Sequence, residues 1–341
     1  MSPGCNDINQ KLPRAKIGAL VVGLGSIGRR HLHNLAALGI KRLGIYTSGK
    51  GVQPIGDRPP QGSKVYHSYG SALSDGYGLV VVANPTNLHL KHALVAVTAG
   101  CHVYLEKPVS HELDGIEELV TALTESKAKL QVGCQLRFHP VMTQVKKWLD
   151  QGLIGKPLMA FAQAGKYLPD WHPEEDYRQS YAARRDLGGG VVLTLIHEID
   201  YLQWLLGPMD VCSALGGTSG VLELDVEDHV LALMRSQKGC QVSLGLDYLQ
   251  KPLSRGLKLV GTKGTVIADL TANRAELLVE GRSQEQLLLP DDWDPNQPYL
   301  DCLRDLLDAV TNNGQPSVPL SQGVDALRAA VKIKDLIAMV P

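Results

Sequence analysis

The chain has 341 residues, enough for about two domains and a sizeable core. An apolar fraction of 44% and a charged fraction of 20% are ordinary for globular proteins, which excludes the disordered, collagenous and coiled-coil classes. A net charge of −1 and an aromatic fraction of 5% give no general attraction to nucleic acid or anionic lipid and no stacking platform for bases.

The first 150 residues alternate short apolar runs with helical patterns. The predicted strands are a run from Ile17, then Arg42–Tyr46, Leu79–Ala83, His102–Leu105 and Leu130–Gln135. Helices are predicted after the first strand, over Leu88–Ala99, and after Ser110 as a helix N-cap. Because strands that are apolar throughout are buried on both faces, we predict an α/β fold with a doubly wound parallel sheet.

After about residue 150, strands with alternating apolar residues follow one another and predict a mostly antiparallel sheet. They are predicted at residues 157–166, 209–218, 226–236, 240–249, 256–261, 264–270 and 275–280, and helices at 298–312 and 321–339. We therefore predict a dinucleotide-binding Rossmann domain over residues 1–150 and an α+β domain with a large open sheet over residues 151–341. The second domain is expected to bind substrate and form subunit contacts, with the last helix packing back on the first domain.

The six cysteines are scattered without a C-x-x-C pair, so neither a metal site nor a disulfide framework is predicted. The first fifteen residues lack the apolar segment of a signal peptide. No apolar run reaches the ~18 residues that a membrane helix needs. We therefore expect a cytoplasmic protein with no membrane or nucleic-acid partner.

A glycine-rich turn joins the first predicted strand to the first predicted helix. Gly23, Gly25 and Gly28 have the spacing G-x-G-x-x-G. In this setting Gly23 permits a tight turn, Gly25 lets the backbone approach a pyrophosphate, and Gly28 lets helix and strand pack closely. The helix N-terminus then faces the anion, so the motif predicts a dinucleotide site.

The end of the second strand carries no acidic residue that would bind the ribose 2′-hydroxyl of NAD. Thr47, Ser48 and Lys50 lie there instead, and Arg29 and Arg30 follow the glycine motif. Hydroxyl, ammonium and guanidinium groups suit a 2′-phosphate. The sequence therefore favours NADP and leaves NAD open.

Two further strand ends carry polar residues. Asn84, Pro85 and His89 follow the strand at Leu79–Ala83, and the pair Glu106 and Lys107 follows His102–Leu105. In a doubly wound sheet these ends face the ligand crevice. We predict that both segments contact the cofactor.

A helical stretch at residues 191–206 follows three consecutive glycines and carries polar residues on one face. These are Thr194, His197, Asp200 and Tyr201, spaced i, i+3, i+6 and i+7. The row predicts a lined pocket, although a lone histidine on an apolar helix is more often a core residue. The sequence His197-Glu198-Ile199-Asp200 is not H-E-x-x-H, so no zinc protease is indicated.

Several segments together resemble the Gfo/Idh/MocA oxidoreductases, a family of sugar and inositol dehydrogenases, over nearly the whole chain. They are GLGSIGRRH at 23–31, ANPTNLH at 83–89, EKP at 106–108, QLRFHP at 135–140 and the glycines at 188–190 with the histidine that follows. The resemblance implies a Rossmann domain and a second domain whose open sheet often forms dimers or tetramers. It also implies that Lys107 contacts the reacting hydroxyl and the nicotinamide ribose, that a cis peptide precedes Pro108, and that His197 is the acid/base.

One position departs from the family pattern. Family members commonly carry an aspartate three or four residues before the histidine, where Leu193 and Thr194 stand here. A threonine hydroxyl forms hydrogen bonds but holds no charge at neutral pH. The departure puts proton transfer or substrate orientation in doubt and leaves hydride transfer open.

The candidate site residues fall into three groups. The catalytic candidates are Lys107 and His197. The cofactor-binding candidates are Gly23, Leu24, Gly25, Ser26, Ile27, Gly28, Thr47, Ser48, Asn84, Pro85, His89, Glu106, Lys107 and Gln135. The substrate-binding candidates are Arg137, Tyr167, Trp171, Arg178, Thr194 and Asp200, although Arg137 equally suits a structural ion pair and the loop at 167–178 equally suits an ordinary surface loop.

These features predict an NAD(P)-dependent oxidoreductase that interconverts a secondary alcohol and a ketone on a sugar, nucleotide sugar or cyclitol. The expected partners are a small sugar-like substrate and further copies of the chain in a homodimer or homotetramer. Two alternatives stay open: a dinucleotide-binding sensor or regulator without chemistry, and a reductase of a non-sugar substrate on the same fold.

Overall fold

Six short parallel strands form the first sheet of the computed structural model, which describes residues 17–49, 58–281 and 283–339. The strands are β1 (Ala19–Val22), β2 (Leu43–Tyr46), β3 (Lys64–Tyr66), β4 (Leu79–Val82), β5 (His102–Leu105) and β6 (Leu130–Val132). Their order is β3-β2-β1-β4-β5-β6, and every neighbouring pair is parallel. The predicted doubly wound sheet is confirmed.

Helices cover both faces of this sheet because its strands are apolar on both sides. The helices of this part are α1 (Ser26–Ala37), α2 (Tyr69–Ser74), α3 (His89–Thr98), α4 (Ile116–Glu125) and α5 (Pro140–Asp150). Successive residues of β1 face opposite sides: Leu20 and Val22 join one core cluster, and Ala19 and Val21 join the other.

Some predicted boundaries in this part are wrong. Helix α4 begins at Ile116, after Gly115 in a left-handed conformation at φ 79°, rather than after Ser110. Ser110 is buried, and its Oγ accepts a hydrogen bond from the backbone N–H of Glu112 at 3.4 Å. Strand β3 and helices α2 and α5 were not predicted, and Lys50 lies outside the described residues.

Eight strands form the second sheet. They are β7 (Pro157–Gly165), β8 (Met209–Gly217), β9 (His229–Ser236), β10 (Gln241–Asp247), β11 (Ser254–Gly261), β12 (Gly264–Asp269), β13 (Arg274–Val279) and β14 (Glu285–Leu288). The order is β14-β13-β12-β11-β7-β10-β9-β8, antiparallel except for the parallel pair β7 and β10. The predicted mostly antiparallel sheet is confirmed, and β14 was not predicted.

Four further α-helices lie in the described part of the chain after residue 150: α6 (Val191–Thr194), α7 (His197–Leu206), α8 (Gln297–Thr311) and α9 (Leu320–Ala338). Short 3-10 helices lie at Thr86–Leu88, Gln135–Phe138, Leu168–Asp170, Tyr177–Gln179, Tyr181–Ala183 and Arg185–Leu187. Helix α8 lies near the end of the chain but packs on the first sheet, where Leu303 and Leu306 enter its core. Helix α9 contacts both sheets, β8 on one side and β6 on the other. Among the described residues, no helix is both long and apolar enough to cross a membrane.

Candidate active site

The glycine turn between β1 and α1 has one tight side and one open side. A Cβ on Gly23, at φ 101°, would lie 2.7 Å from the carbonyl oxygen of Ala83, and a Cβ on Gly28 would lie 2.1 Å from that of Gly23. A Cβ on Gly25 would meet nothing within 4 Å. Two glycines are therefore required by packing, whereas Gly25 keeps the backbone at the N-terminus of α1 open to a ligand.

The segment after β2 lies beside this turn and carries hydroxyl groups. The Oγ1 of Thr47 accepts a hydrogen bond from the N–H of Gly49 at 3.2 Å, and Ser48 is exposed. Of the two arginines that follow the glycines, Arg29 donates from Nε to the carbonyl of Leu24 at 3.2 Å. The guanidinium of Arg30 lies 4.5 Å from the ring centre of Tyr299.

His89 links the ends of β4 and β5. Its Nδ1 lies 2.7 Å from the carbonyl oxygen of Pro108, and its Nε2 lies 2.9 Å from that of Asn84. Burial lowers the pKa of His89, and a neutral imidazole carries one N–H, so this buried side chain donates to one of the two carbonyls and packs between the strand ends. The Oδ1 of Asn84, in contrast, is buried and has no partner among the described residues.

Glu106 is a buried carboxylate held at the end of β5. It lies 2.7 Å from the Nε2 of His31 and accepts the backbone N–H of Lys107 at 3.2 Å. Burial alone raises the pKa of this carboxyl, but the hydrogen bond and charge of His31 and the charge of Lys107 outweigh it and lower the pKa. The group is therefore an anion beside Lys107. The peptide between Lys107 and Pro108 is cis, as the resemblance implied.

The ammonium of Lys107 interrupts the helix that carries the histidine. Its Nζ donates to the carbonyl of Thr194 at 2.6 Å. In a continuous helix that carbonyl would accept the N–H of Glu198, which instead points to Leu195 at 3.4 Å. The single helix predicted at 191–206 is therefore wrong: it is two helices, α6 and α7, and the break presents a carbonyl to Lys107.

His197 is the first residue of α7 and is buried. Its Nε2 lies 3.1 Å from the amide nitrogen of Gln135, and its Nδ1 has no partner among the described residues. Burial lowers the pKa of His197 well below its ordinary value, and the charges of Lys107 and Arg255 lower it further. Burial also lowers the pKa of Lys107. His197 is therefore a neutral imidazole beside a cation.

Two predicted substrate-binding residues pair with each other. Arg137 donates from Nε and Nη2 to the two carboxylate oxygens of Asp200, at 2.9 and 2.6 Å, and it also contacts Gln322. Both side chains are almost fully buried, at 5% and 1% exposure. The geometry favours a structural ion pair for Arg137. The carboxylate of Asp200 is the other half of that pair.

The loop at 167–178 divides into two parts. Tyr167 and Trp171 pack against the second sheet: the ammonium of Lys251 lies 3.4 Å from the ring centre of Tyr167, and the Trp171 ring meets that of Tyr248 edge-on at 5.6 Å. Arg178 is exposed and bonds Glu223 at 3.2 Å. The structure does not bring Arg178 together with Lys107.

Three residues near Lys107 and His197 were missed by the sequence analysis. Arg255 of β11 and Glu198 of α7 form a forked ion pair, and Tyr299 of α8 packs under Arg30. Arg255 could have been noticed in the sequence because a charged residue stands there at an inward-facing strand position, where an apolar residue is usual. Nothing in the local sequence marked Tyr299, because α8 reaches the first sheet only through the tertiary fold.

Comparison with known proteins agrees with this arrangement. Residues 17–134 match the oxidoreductase family with an NAD-binding Rossmann fold, and residues 142–267 match the GFO/IDH/MocA C-terminal domain. The chain belongs to the Gfo/Idh/MocA oxidoreductase family. Its first part therefore has the NAD-binding Rossmann fold of the family, and the second part has the family's C-terminal domain.

Named members of the Gfo/Idh/MocA family are moderately similar in sequence. The chain is 28% identical to 1,5-anhydro-D-fructose reductase of Ensifer adhaerens over 260 residues, 74% of this chain and 75% of that protein. It is 30% identical to inositol 2-dehydrogenase of Salmonella typhimurium over 191 residues, 54% of this chain and 53% of the relative. The chain thus spans only about half the length of the inositol dehydrogenases that it matches.

Solved structures of the family share the fold. Levoglucosan dehydrogenase in complex with NADH and L-sorbose superposes with a TM-score of 0.83 at 17% identity, covering 95% of this chain and 97% of that one. The WlbA dehydrogenase from Bordetella pertussis, in complex with NADH and UDP-GlcNAcA, superposes with a TM-score of 0.79 at 22% identity. The match covers 95% of this chain and 96% of that one.

Proposed function

We propose that this oxidoreductase interconverts a secondary alcohol and a ketone on a sugar, nucleotide sugar or cyclitol, with Lys107 and His197 as its catalytic residues. The observation that carries the proposal is the break between α6 and α7, which brings the Lys107 ammonium to the carbonyl of Thr194, three residues before His197. The relatives named above act on compounds of this class, which supports the substrate assignment.

The residues at the sheet edge fit a nicotinamide dinucleotide. We propose that the open backbone at Gly25 and Ser26 binds the pyrophosphate and that Thr47 and Ser48 bind the adenosine ribose. The buried, unpartnered oxygens of Asn84 and Gln135 provide acceptors at the same edge. When bound, the cofactor donates or accepts the hydride.

We propose NADP over NAD because the residues described after β2 offer hydroxyls and no carboxylate. Fluorescence titration with NADPH and NADH tests this choice, and NADPH is expected to have the lower dissociation constant. Ser48→Asp places a carboxylate there and is expected to reverse the preference, since it repels a 2′-phosphate and binds a 2′-hydroxyl. Ser48→Asn is the uncharged control. Tighter binding of NADH by the unaltered protein would contradict the proposal.

Lys107 would stabilise the reacting oxygen. Its ammonium can exchange the carbonyl of Thr194 for the substrate oxygen, which becomes more negative as the alcohol loses its proton. Because burial lowers the pKa of Lys107 while Glu106 and Glu198 oppose that shift, the group stays a cation near its partner. We propose electrostatic stabilisation as its role.

His197 would move the proton. The amide nitrogen of Gln135 donates to its Nε2, so the neutral ring carries its proton on Nδ1 and Nε2 is the basic atom. In the oxidation direction the substrate hydroxyl replaces Gln135 and gives its proton to Nε2. No carboxylate at position 194 raises the pKa of the ring, so the base is neutral throughout the physiological pH range.

Turnover measurements test these assignments. Purified protein is incubated with NADP or NAD and a panel of polyols, and reduced nicotinamide is followed by its absorbance. We expect turnover, with kcat lower by about 100-fold or more in Lys107→Met and in His197→Asn. Tight dinucleotide binding with no turnover on any member of the panel would instead support the sensor, which Thr194 in place of the family aspartate favours.

Tyr167 and Trp171 are proposed to cover the substrate from the second sheet. Both are half-buried aromatic side chains in the loop before the triple glycine, and such faces pack well against sugar rings. Arg137 and Asp200 neutralise each other, and Arg178 lies on the surface with Glu223, so these three residues are left out of the proposed substrate site.

We propose that the outer face of the second sheet joins copies of this chain. Three of its strands expose large apolar side chains that soluble monomers usually bury: Met159 and Phe161 on β7, Leu215 on the edge strand β8, and Leu231 and Leu233 on β9. A symmetric dimer or tetramer would cover this face. We also propose the division into domains at residue 150, with α8 returning to the first.

A further inference from the structure

A segment of the second part of the chain, residues 186–194, contains the triple glycine and leads into α7. We call it the glycine segment. Two side chains from the first part of the chain donate hydrogen bonds to its ends. The Nδ2 of Asn87 donates to the carbonyl of Asp186 at 2.8 Å, and the Nζ of Lys107 donates to the carbonyl of Thr194 at 2.6 Å. The first part therefore holds the glycine segment at both ends.

The middle of the glycine segment also packs closely against the first part. A Cβ on Gly188 would lie 2.8 Å from the Cβ of His111 and 3.0 Å from that of Thr86. The residue has φ 81°, a left-handed conformation that favours glycine. The glycine segment can lie this close to the first part because no side chain stands at this position.

The glycine segment is braced by its own hydrogen bonds. The N–H of Gly189 donates to the carbonyl of Arg184 at 2.9 Å, and the N–H of Thr194 donates to that of Gly190 at 3.0 Å. The three glycines and the four residues of α6 are all buried. Since closely packed, hydrogen-bonded backbone moves as a unit, a shift at Asp186 would also move the carbonyl of Thr194.

The two end contacts differ in the proposed reaction. Lys107 exchanges the carbonyl of Thr194 for the substrate oxygen, so this end of the glycine segment loses its hydrogen bond when substrate is bound. Asn87 contacts the opposite end, and its hydrogen bond to Asp186 is not disturbed by that exchange. The contact at Asn87 can therefore keep the glycine segment in place during turnover.

We propose that Asn87 is a positioning residue, which keeps the glycine segment docked while Lys107 binds the substrate oxygen and so holds His197 in place for proton transfer. The inference rests on the proposed function for the exchange at Lys107, but docking can be measured without turnover. Asn87 takes part in no covalent step. Its side chain is only partly buried, so its variants are expected to fold.

Limited proteolysis with trypsin tests the docking. Arg184 and Arg185 are exposed and lie next to Asp186, whereas Arg178 is exposed in the preceding loop. In Asn87→Ala, and in Asn87→Asp, whose carboxylate has no N–H to donate, cleavage after Arg184 and Arg185 is expected to be about fivefold faster. Proteolysis follows the population of the undocked form, and one hydrogen bond changes that population by about this factor. Cleavage after Arg178 should be unchanged.

Turnover is measured in parallel at saturating dinucleotide. Both variants of Asn87 are expected to have a kcat lower by about tenfold and a KM for substrate within about twofold of the unaltered value, because misplaced reacting groups slow the reacting step more than binding.

A matched control removes a hydrogen bond of the same chemistry elsewhere. The Nε2 of Gln203 donates to the carbonyl of Asp325 at 3.3 Å, between α7 and α9. Gln203→Ala removes a side-chain amide from an aspartate carbonyl without touching the glycine segment. Neither the cleavage after Arg184 and Arg185 nor kcat is expected to change in this variant.

Two proteolysis results would overturn the inference: unchanged cleavage after Arg184 and Arg185 in Asn87→Asp, or an equal rise after Arg178, which would show a general loss of stability. The expected cleavage pattern in a protein that has no turnover would refute the proposed function and leave the docking by Asn87 standing. Turnover by the unaltered protein, with unchanged kcat in both variants of Asn87, would refute the positioning role and leave the proposed function standing.

Discussion

Substitution of two glycines of the same turn, Gly28→Ala and Gly25→Ala, is expected to have opposite consequences. A Cβ on Gly28 would lie 2.1 Å from the carbonyl oxygen of Gly23 and 3.0 Å from its carbon, so α1 must move away from the turn. Overpacking of this kind costs about 3 kcal/mol, and replacing a glycine inside a helix returns about 1 kcal/mol. We therefore expect Gly28→Ala to lower the free energy of unfolding by about 2 kcal/mol.

Gly25→Ala places its methyl group in open space. The residue has φ −69°, which alanine adopts without strain, and nothing lies within 4 Å of the added carbon. The free energy of unfolding should change by less than about 0.5 kcal/mol. The methyl group would however separate the backbone from a bound pyrophosphate, so the dissociation constant for the dinucleotide should rise by about tenfold or more.

Urea denaturation and fluorescence titration of both variants give the two quantities. The expected pattern is a loss of stability in Gly28→Ala alone and a loss of affinity at unchanged stability in Gly25→Ala. If Gly25→Ala binds NADPH and NADH as tightly as the unaltered protein, the open side of the turn does not bind the pyrophosphate. If Gly28→Ala is fully stable, the close approach of α1 to the turn is not required.

Three further predictions concern pH, the buried pair and assembly. His139 caps α5, accepting the N–H of Val141 at 3.2 Å, and burial lowers its pKa to about 4. Since the unfolded state binds the proton first as the pH falls, about 3 kcal/mol of stability should be lost between about pH 6.5 and pH 4. His139→Asn, which keeps an acceptor at the cap, should remove about that share of the pH dependence in urea titrations, and the part due to other buried histidines such as His89 and His197 should remain. Arg137→Leu leaves a buried carboxylate unpaired and should lower the free energy of unfolding by about 3 to 5 kcal/mol, whereas a small effect would show that the site admits water. Phe161→Glu on the open sheet face should yield single chains in light scattering after gel filtration, and an unchanged oligomer would place the interface elsewhere.

The features that the sequence predicted well depend on neighbouring residues. The tight packing of Gly23 and Gly28 and the open position of Gly25 follow from a spacing of a few residues, and the structure shows all three. Five of the six strands of the first sheet were equally clear, because runs that are apolar throughout have few alternatives to burial, whereas β3 is mostly exposed and was missed. Helix α5 was missed although Pro140 at its start and the cap at His139 gave a local signal.

The features that the sequence did not predict depend on contacts between distant segments. Arg137 suited a substrate or an ion pair equally, and only the fold showed that Asp200, 63 residues away, neutralises it. The break before His197 arises because the carbonyl of Thr194 bonds Lys107, 87 residues earlier in the chain. Helical periodicity is the same on both sides of that break, so no local pattern marks it.

The most direct measurement is deuterium transfer from nicotinamide labelled at C4 to a keto sugar, read by NMR of the product. The account predicts deuterium at a carbinol carbon when unaltered protein is present, and transfer slowed by about 100-fold or more in Lys107→Met when the dinucleotide is saturating. Transfer at the same rate in Lys107→Met, or tight binding with no deuterium in any product, would contradict the central claim that Lys107 and His197 form the reaction centre.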